Sequence, residues 1–79
     1  MMTEREALVW IAELFEESPD QITPGVKRED IPAWDSLGVL TIMASFDSDF
    51  DIVLSENDTQ NLRSVNDILN ILKQKGTLG

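Results

Sequence analysis

The 79-residue sequence contains neither cysteine nor histidine. Without cysteine the chain forms no disulfide, and without either residue it cannot build a zinc site of the usual Cys/His kind. Domains of this size often rely on such crosslinks because their hydrophobic cores are small. We therefore expect no metal site, and a fold stabilised only by close packing of aliphatic and aromatic side chains.

Basic residues are scarce. Six Lys and Arg stand against fifteen Asp and Glu, which gives a net charge of −9 and a pI near 4.1. Such a charge repels nucleic acids and anionic membranes, and it attracts proteins with basic surfaces. At 42% hydrophobic residues the chain is too apolar for a disordered acidic tail. The composition therefore predicts a folded protein that does not bind nucleic acids. Its acidity either only keeps it in solution or also attracts partner proteins with basic surfaces.

Long hydrophobic runs are also missing. No apolar stretch approaches the length that crosses a bilayer, and the first residues lack the basic and then apolar pattern of a signal peptide. The length suits one domain, and neither an internal repeat nor a strand-like alternation is visible. We expect a cytoplasmic monomer, without membrane insertion, that forms a single domain over residues 1–79.

Helix start and stop signals divide the chain into segments that predict a helical bundle. Thr3 and Glu6 form a T-x-x-E capping box, after which apolar residues recur at helical spacing until Ser18 and Pro19. Residues 18–35 contain three prolines and read as a long ordered loop. The loop carries three spaced apolar residues, Ile22, Val26 and Ile31, which we expect to anchor it to the core.

Three more helix starts follow the loop. The second helix is predicted from Asp35 or Ser36 to about Phe50, and a short third helix from the S-x-x-D pattern at Ser55. The fourth begins at the similar pattern at Ser64 and stops at Gly76. The predicted fold class is all-α: a small bundle of three main helices and one short helix.

The second helix carries two apolar arcs. At about 100° per residue, the first arc is an ordinary core face, formed by Val39, Ile42, Met43, Phe46 and Phe50. The second arc combines Leu37, Leu40 and Ala44, with Ser36 at its N-terminal end and Asp47 at its border. Periodicity alone leaves two interpretations open: a partner-docking surface, or side chains packed under the long loop.

The start of this helix carries the main candidate site. Asp35 is a good N-cap, and Ser36 then lies in the first turn, where the helix dipole and free N–H groups would stabilise a phosphate ester. A serine beside an aspartate at a helix start is commonly only a cap, so Asp35-Ser36-Leu37 by itself is a weak motif. No basic residue adjoins Ser36 in the sequence to activate it, and no convergent acid–base set suggests an enzyme.

Taken in order, these features resemble the acyl carrier protein family over nearly the whole chain. The resemblance rests on the length, the acidity, the first amphipathic helix and the proline-containing loop, together with three short segments. These segments are Asp35-Ser36-Leu37 opening the second helix, Phe50-Asp51-Ile52 at its end and Ser64-Val65 opening the last helix. Their order and spacing, and not any one motif, make the likeness specific.

The resemblance implies that Ser36 carries 4′-phosphopantetheine through a phosphodiester, with Asp35 and Leu37 flanking the attachment site. It implies a cleft between the second, third and fourth helices that shelters an acyl group held as a thioester. The partners would be a phosphopantetheinyl transferase and the enzymes that load and use the acyl group. They would dock on the second helix through Leu40, Thr41, Ala44 and Asp47. The protein itself would have no catalytic residues.

Departures from the family pattern favour a specialised pathway over housekeeping fatty-acid synthesis, and fatty-acid, polyketide and other specialised acyl metabolism all stay open as options. Gly38, Thr41 and Ser48 stand where fatty-acid-synthesis carriers often have acidic residues, and Trp34 precedes the serine motif. The run Leu37-Gly38-Val39 is similar to that of D-alanyl carrier proteins, so an aminoacyl carrier is an alternative. A helical interaction module that never receives the arm is the alternative from another functional class.

Overall fold

A computed structural model describes residues 2–78, so that Met1 and Gly79 of the predicted domain lie outside the described residues. The described residues form four α-helices and no strand. The helices are α1 (Glu4–Leu14), α2 (Ser36–Phe50), α3 (Glu56–Gln60) and α4 (Val65–Gln74). The predicted all-α bundle of three main helices and one short helix is confirmed.

Each helix begins where the sequence predicts, because the start signals are local. At the starts of α1, α3 and α4 the hydroxyl of the capping residue accepts a hydrogen bond from the backbone N–H of the residue three positions later. The carboxylate of that later residue accepts a hydrogen bond from the backbone N–H of the capping residue. The pairs are Thr3 with Glu6, Ser55 with Asp58 and Ser64 with Asp67. The bonds from the Thr3 and Ser55 backbone N–H groups lower the pKa of Glu6 and of Asp58.

Two of the helix ends are closed by left-handed residues that are not glycine. Glu16 after α1 has φ of 55° and Asp51 after α2 has φ of 57°, whereas α4 ends at Gly76 with φ of 77°. A left-handed residue lets the next N–H groups turn back to the last free carbonyls of the helix. Glu17 N–H bonds Ala12 O at 2.9 Å in this way after α1.

The core lies between α1, α2 and α4, and the loop from residue 15 to residue 35 closes one side. Its buried side chains include Ala7, Ile11, Ala12, Phe15, Ile42, Phe46, Val65, Ile68, Leu69 and Leu72. The predicted core face of α2 is confirmed: Ile42 and Phe46 are buried, and the other three residues of that face are half-buried. Close packing of these residues accounts for a fold without disulfides.

The long loop is ordered by hydrogen bonds as well as by apolar anchors. It contains two short 3₁₀ turns, Pro19–Gln21 and Arg28–Asp30. Ile22 and Ile31 are buried and Val26 is half-buried, as the sequence predicts. The loop also lies along the start of α4, where the N–H of Arg28 bonds Arg63 O and the N–H of Val65 bonds Val26 O, both at 2.9 Å. These bonds fix the segment that leads into α2.

None of the helices formed by residues 2–78 has both the length and the apolar character needed to cross a membrane.

Candidate functional site

The candidate site is the first turn of α2, where the loop meets the bundle. The carboxylate of Asp35 accepts a hydrogen bond from Gly38 N–H at 3.0 Å and caps the helix. Ser36 is therefore the first helical residue and not the cap, and its side chain is exposed. Because Asp35 fills the capping role, the Ser36 hydroxyl is left for another function.

Gly38 explains how the chain enters the helix so sharply. It is buried, and a Cβ built on it would lie 2.2 Å from the carbonyl oxygen of Ala33. Only a residue without a side chain allows the loop to pass this close to the helix. Gly38 thereby sets the path of Trp34, Asp35 and Ser36 relative to the bundle.

The second apolar arc of α2 is exposed. Leu37 is 73% and Leu40 60% accessible, and Ala44, Asp47 and Thr41 are exposed as well. The loop does not cover these residues, which removes the interpretation that they pack beneath it. Leu40 and Leu37 next to an exposed serine form a surface on which a partner would gain apolar contact and reach Ser36.

A groove runs beside Ser36 between α2 and α3, and we call it the Ser36 groove. Its volume is about 490 Å³. Its walls are Ser36, Val39, Leu40 and Met43 of α2, Glu56, Thr59 and Gln60 of α3, and Arg28 of the loop. The groove therefore differs from the cleft that the resemblance implies, because no α4 residue lines it. A groove lined by both apolar and polar side chains suits a flexible, mostly apolar ligand attached at its rim.

Arg28 is a residue of this candidate site that the sequence did not reveal. It stands eight positions before Ser36, yet the loop brings it to the same groove, where its Nε–H donates to the carbonyl oxygen of Trp34 at 3.1 Å. No basic residue adjoins Ser36 in the sequence, yet Arg28 lines the same groove as Ser36 in the folded protein. A guanidinium in the groove attracts a phosphate or carboxylate, and the Glu56 carboxylate in the same lining opposes that attraction.

A second, larger pocket adjoins the first, and we call it the loop pocket. Its volume is about 750 Å³, and Arg28 and Gln60 line it as well as the Ser36 groove. Its apolar lining comes from the loop and from the segment before α4: Ile31, Pro32, Trp34 and Leu62. No sequence signal pointed to this pocket, because its walls come from segments far apart in the chain.

The comparisons with known proteins add no assignment: no protein-family model matches the chain, and no solved structure matches it.

Proposed function

We propose that this protein is a covalent carrier, which holds a small organic group for other enzymes and performs no chemistry on it. More specifically, we propose a member of the acyl carrier protein family that bears 4′-phosphopantetheine on Ser36. The observation that carries the proposal is the exposed Ser36 hydroxyl at the first turn of α2, free of a capping role and at the rim of a groove.

The surroundings of Ser36 fit a phosphate ester. The positive end of the α2 dipole and the free N–H groups of its first turn stabilise negative charge there. Arg28 in the same groove supplies a full positive charge. Two carboxylates oppose a phosphate there: Glu56, which lines the groove with Arg28, and Asp35, whose bond to Gly38 N–H partly offsets its repulsion. The arm would then follow the groove along Val39 and Met43.

Attachment requires a partner enzyme. The Ser36 oxygen would form a bond to the phosphorus of coenzyme A, the phosphoanhydride bond would break, and 3′,5′-adenosine bisphosphate would leave. The transferase must supply the Mg²⁺ and the base that accepts the hydroxyl proton, because the chain offers no histidine for this task. The thiol at the end of the arm would form the thioester, which suits a cysteine-free protein.

Intact-mass analysis after incubation with coenzyme A and a broad-specificity phosphopantetheinyl transferase tests the proposal. The wild-type protein should gain one phosphopantetheine, and Ser36→Ala should gain none. Its helical circular dichroism should stay unchanged, because Asp35 and not Ser36 caps α2. Ser48→Ala is the matched control, since Ser48 is another exposed serine of α2, and this variant should be modified like wild type.

Two outcomes would overturn the assignment: a modified Ser36→Ala protein, or a folded wild-type protein that the transferase leaves untouched. The second outcome would favour the interaction module, in which the exposed Leu37 and Leu40 bind a partner without any arm. A carried fatty acyl, polyketide or aminoacyl group would not change the result of this test, because the transferase acts before loading.

A further inference from the structure

Arg28 is held in the protein through both its backbone and its side chain. Its N–H donates to Arg63 O at 2.9 Å, in the segment before α4, and its own carbonyl oxygen accepts from the N–H of Ile31 at 3.1 Å. The side chain is half-buried, and its Nε–H donates to the carbonyl oxygen of Trp34 at 3.1 Å. Arg28 therefore connects the segment before α4 to the segment that leads into α2.

The carbonyl group that Arg28 holds lies directly before the helix cap. It belongs to the peptide bond between Trp34 and the capping residue Asp35, and Ser36 follows as the first helical residue. A backbone carbonyl outside a helix is not paired by the helix and needs a donor from elsewhere. A hydrogen bond at this carbonyl restrains the rotation of the peptide that carries the cap. It thereby restrains the direction in which the Ser36 side chain leaves the first turn.

We infer, as an inference resting on the proposed function, that Arg28 is a positioning residue for the attachment of the arm to Ser36. By holding Trp34 O, it fixes the first turn of α2 and presents the Ser36 hydroxyl to the docked transferase. The hydroxyl must lie within reach of the phosphorus of coenzyme A and of the base of the transferase. Small displacements of a reacting group slow such steps strongly. In this role Arg28 acts through the backbone and needs no contact with the reacting atoms.

The hydrogen bond of Arg28 explains such a role better than its charge does. The Glu56 carboxylate lies in the lining of the same groove and opposes the attraction of the guanidinium for an anion. The bond to Trp34 O acts on the backbone itself and is independent of that opposition. The two roles also differ in kinetics, because lost positioning of the hydroxyl lowers kcat, whereas a lost attraction between carrier and transferase raises KM for the carrier.

Three substitutions separate the hydrogen bond from the charge. In Arg28→Gln the amide nitrogen stands at the same place along the side chain as Nε, so the donor is kept and the charge is lost. In Arg28→Met a methyl carbon stands there, so both are lost. In Arg28→Lys a methylene carbon stands there and the charge lies one atom further out. Lys73→Gln is the control for net charge, because Lys73 is exposed in the last turn of α4 and does not line the groove.

The rate of modification is measured with coenzyme A, a broad-specificity phosphopantetheinyl transferase and varied concentrations of each variant, with circular dichroism checking the folding. Arg28→Met and Arg28→Lys should have a kcat about tenfold below that of Arg28→Gln, the factor that one hydrogen bond accounts for. Lys73→Gln should react like wild type. The inference fails if Arg28→Gln and Arg28→Met have equal kcat values. It also fails if Arg28→Lys restores the rate that Arg28→Gln loses, since charge would then be the cause.

Hydrogen exchange tests the positioning without the transferase. The Gly38 N–H donates to the Asp35 carboxylate in the cap, so its exchange rate reports how firmly the first turn of α2 is held. This N–H should exchange about tenfold faster in Arg28→Met than in Arg28→Gln. The N–H of Leu69, a buried residue of α4, should exchange equally in both, which separates a local change from a general loss of stability. Equal exchange at Gly38 would overturn the inference.

The two measurements keep the inference distinct from the proposed function. Should Ser36 of the wild-type protein refuse the arm, the proposed function fails. The exchange of Gly38 N–H in the unmodified variants then still decides whether Arg28 holds the start of α2. If Ser36 accepts the arm and all Arg28 variants react like wild type, the proposed function stands and the positioning role is wrong.

Discussion

The two ends of α2 differ in how many of the aromatic, apolar and polar side chains around them are packed or hydrogen-bonded within the protein. At the C-terminal end, Trp10 packs edge-on to Phe46 at 5.2 Å between ring centroids and tilts against Phe50 at 4.7 Å. The Trp10 indole N–H also donates to Asp49 at 2.7 Å. Both the apolar and the polar parts of this aromatic cluster are paired internally, which is the arrangement that stabilises a core.

At the N-terminal end the same kinds of groups are left unpaired. Trp34 stacks on Phe15 at 5.2 Å, but its N–H has no acceptor among residues 2–78. Leu37 and Leu40 are exposed, and Arg28 uses only its Nε–H on the nearby backbone. The comparison indicates that the aromatic cluster at the C-terminal end helps to hold the fold together, whereas the N-terminal end keeps exposed apolar groups, as the proposed docking surface requires.

The largest loss of stability should come from removing a ring of the aromatic cluster at the C-terminal end of α2. Phe46→Ala removes a fully buried ring at the centre of the aromatic cluster, and large-to-small changes of this kind cost about 3–5 kcal/mol. Urea unfolding followed by circular dichroism measures the change. Val53→Ala is the control, since Val53 is 80% exposed and should cost no more than about 0.5 kcal/mol. A loss below about 1 kcal/mol for Phe46→Ala would mean that this end does not anchor the core.

A smaller loss of stability should follow from adding a methyl group at Gly38, where the loop passes close to the N-terminal end of α2. Gly38→Ala would place a methyl group 2.2 Å from Ala33 O, so the loop must move, and such overpacking costs about 1–3 kcal/mol. Elsewhere in a helix the same substitution is stabilising by about 1 kcal/mol. Gly25→Ala is the control, because nothing lies within 4 Å of its added Cβ. If Gly38→Ala proves neutral or stabilising, the close contact does not position the serine.

The least effect on stability, with a clear effect on binding, is expected at the exposed arc. Leu40→Arg should change the free energy of unfolding by no more than about 0.5 kcal/mol, because the side chain is 60% exposed. Titration calorimetry should nevertheless show transferase binding weakened more than by Asp47→Asn, since exposed ion pairs contribute only about 0–1 kcal/mol. An unfolded Leu40→Arg protein, or one that binds as wild type does, would show that this arc is not the docking surface.

Local signals explain how much of the fold was predictable. The capping pairs at Thr3, Ser55 and Ser64 act over three residues, so the sequence contains all that is needed to start those helices. Asp35 likewise sets the start of α2 and therefore the place of Ser36. The core faces of the helices followed from the 3.6-residue period, which depends on no other part of the chain.

The Ser36 hydroxyl at the first turn of α2 was thus determined by the sequence alone. The exposure of Leu40, the presence of Arg28 in the same groove as Ser36 and the lack of an acceptor for the Trp34 N–H among residues 2–78 were decided only by the tertiary structure. Each of these depends on the path of a loop whose anchors, such as the bond from Arg28 N–H to Arg63 O, join residues far apart in the chain. Periodicity and capping act over a few residues, whereas the walls of a pocket are set by which distant segments pack together.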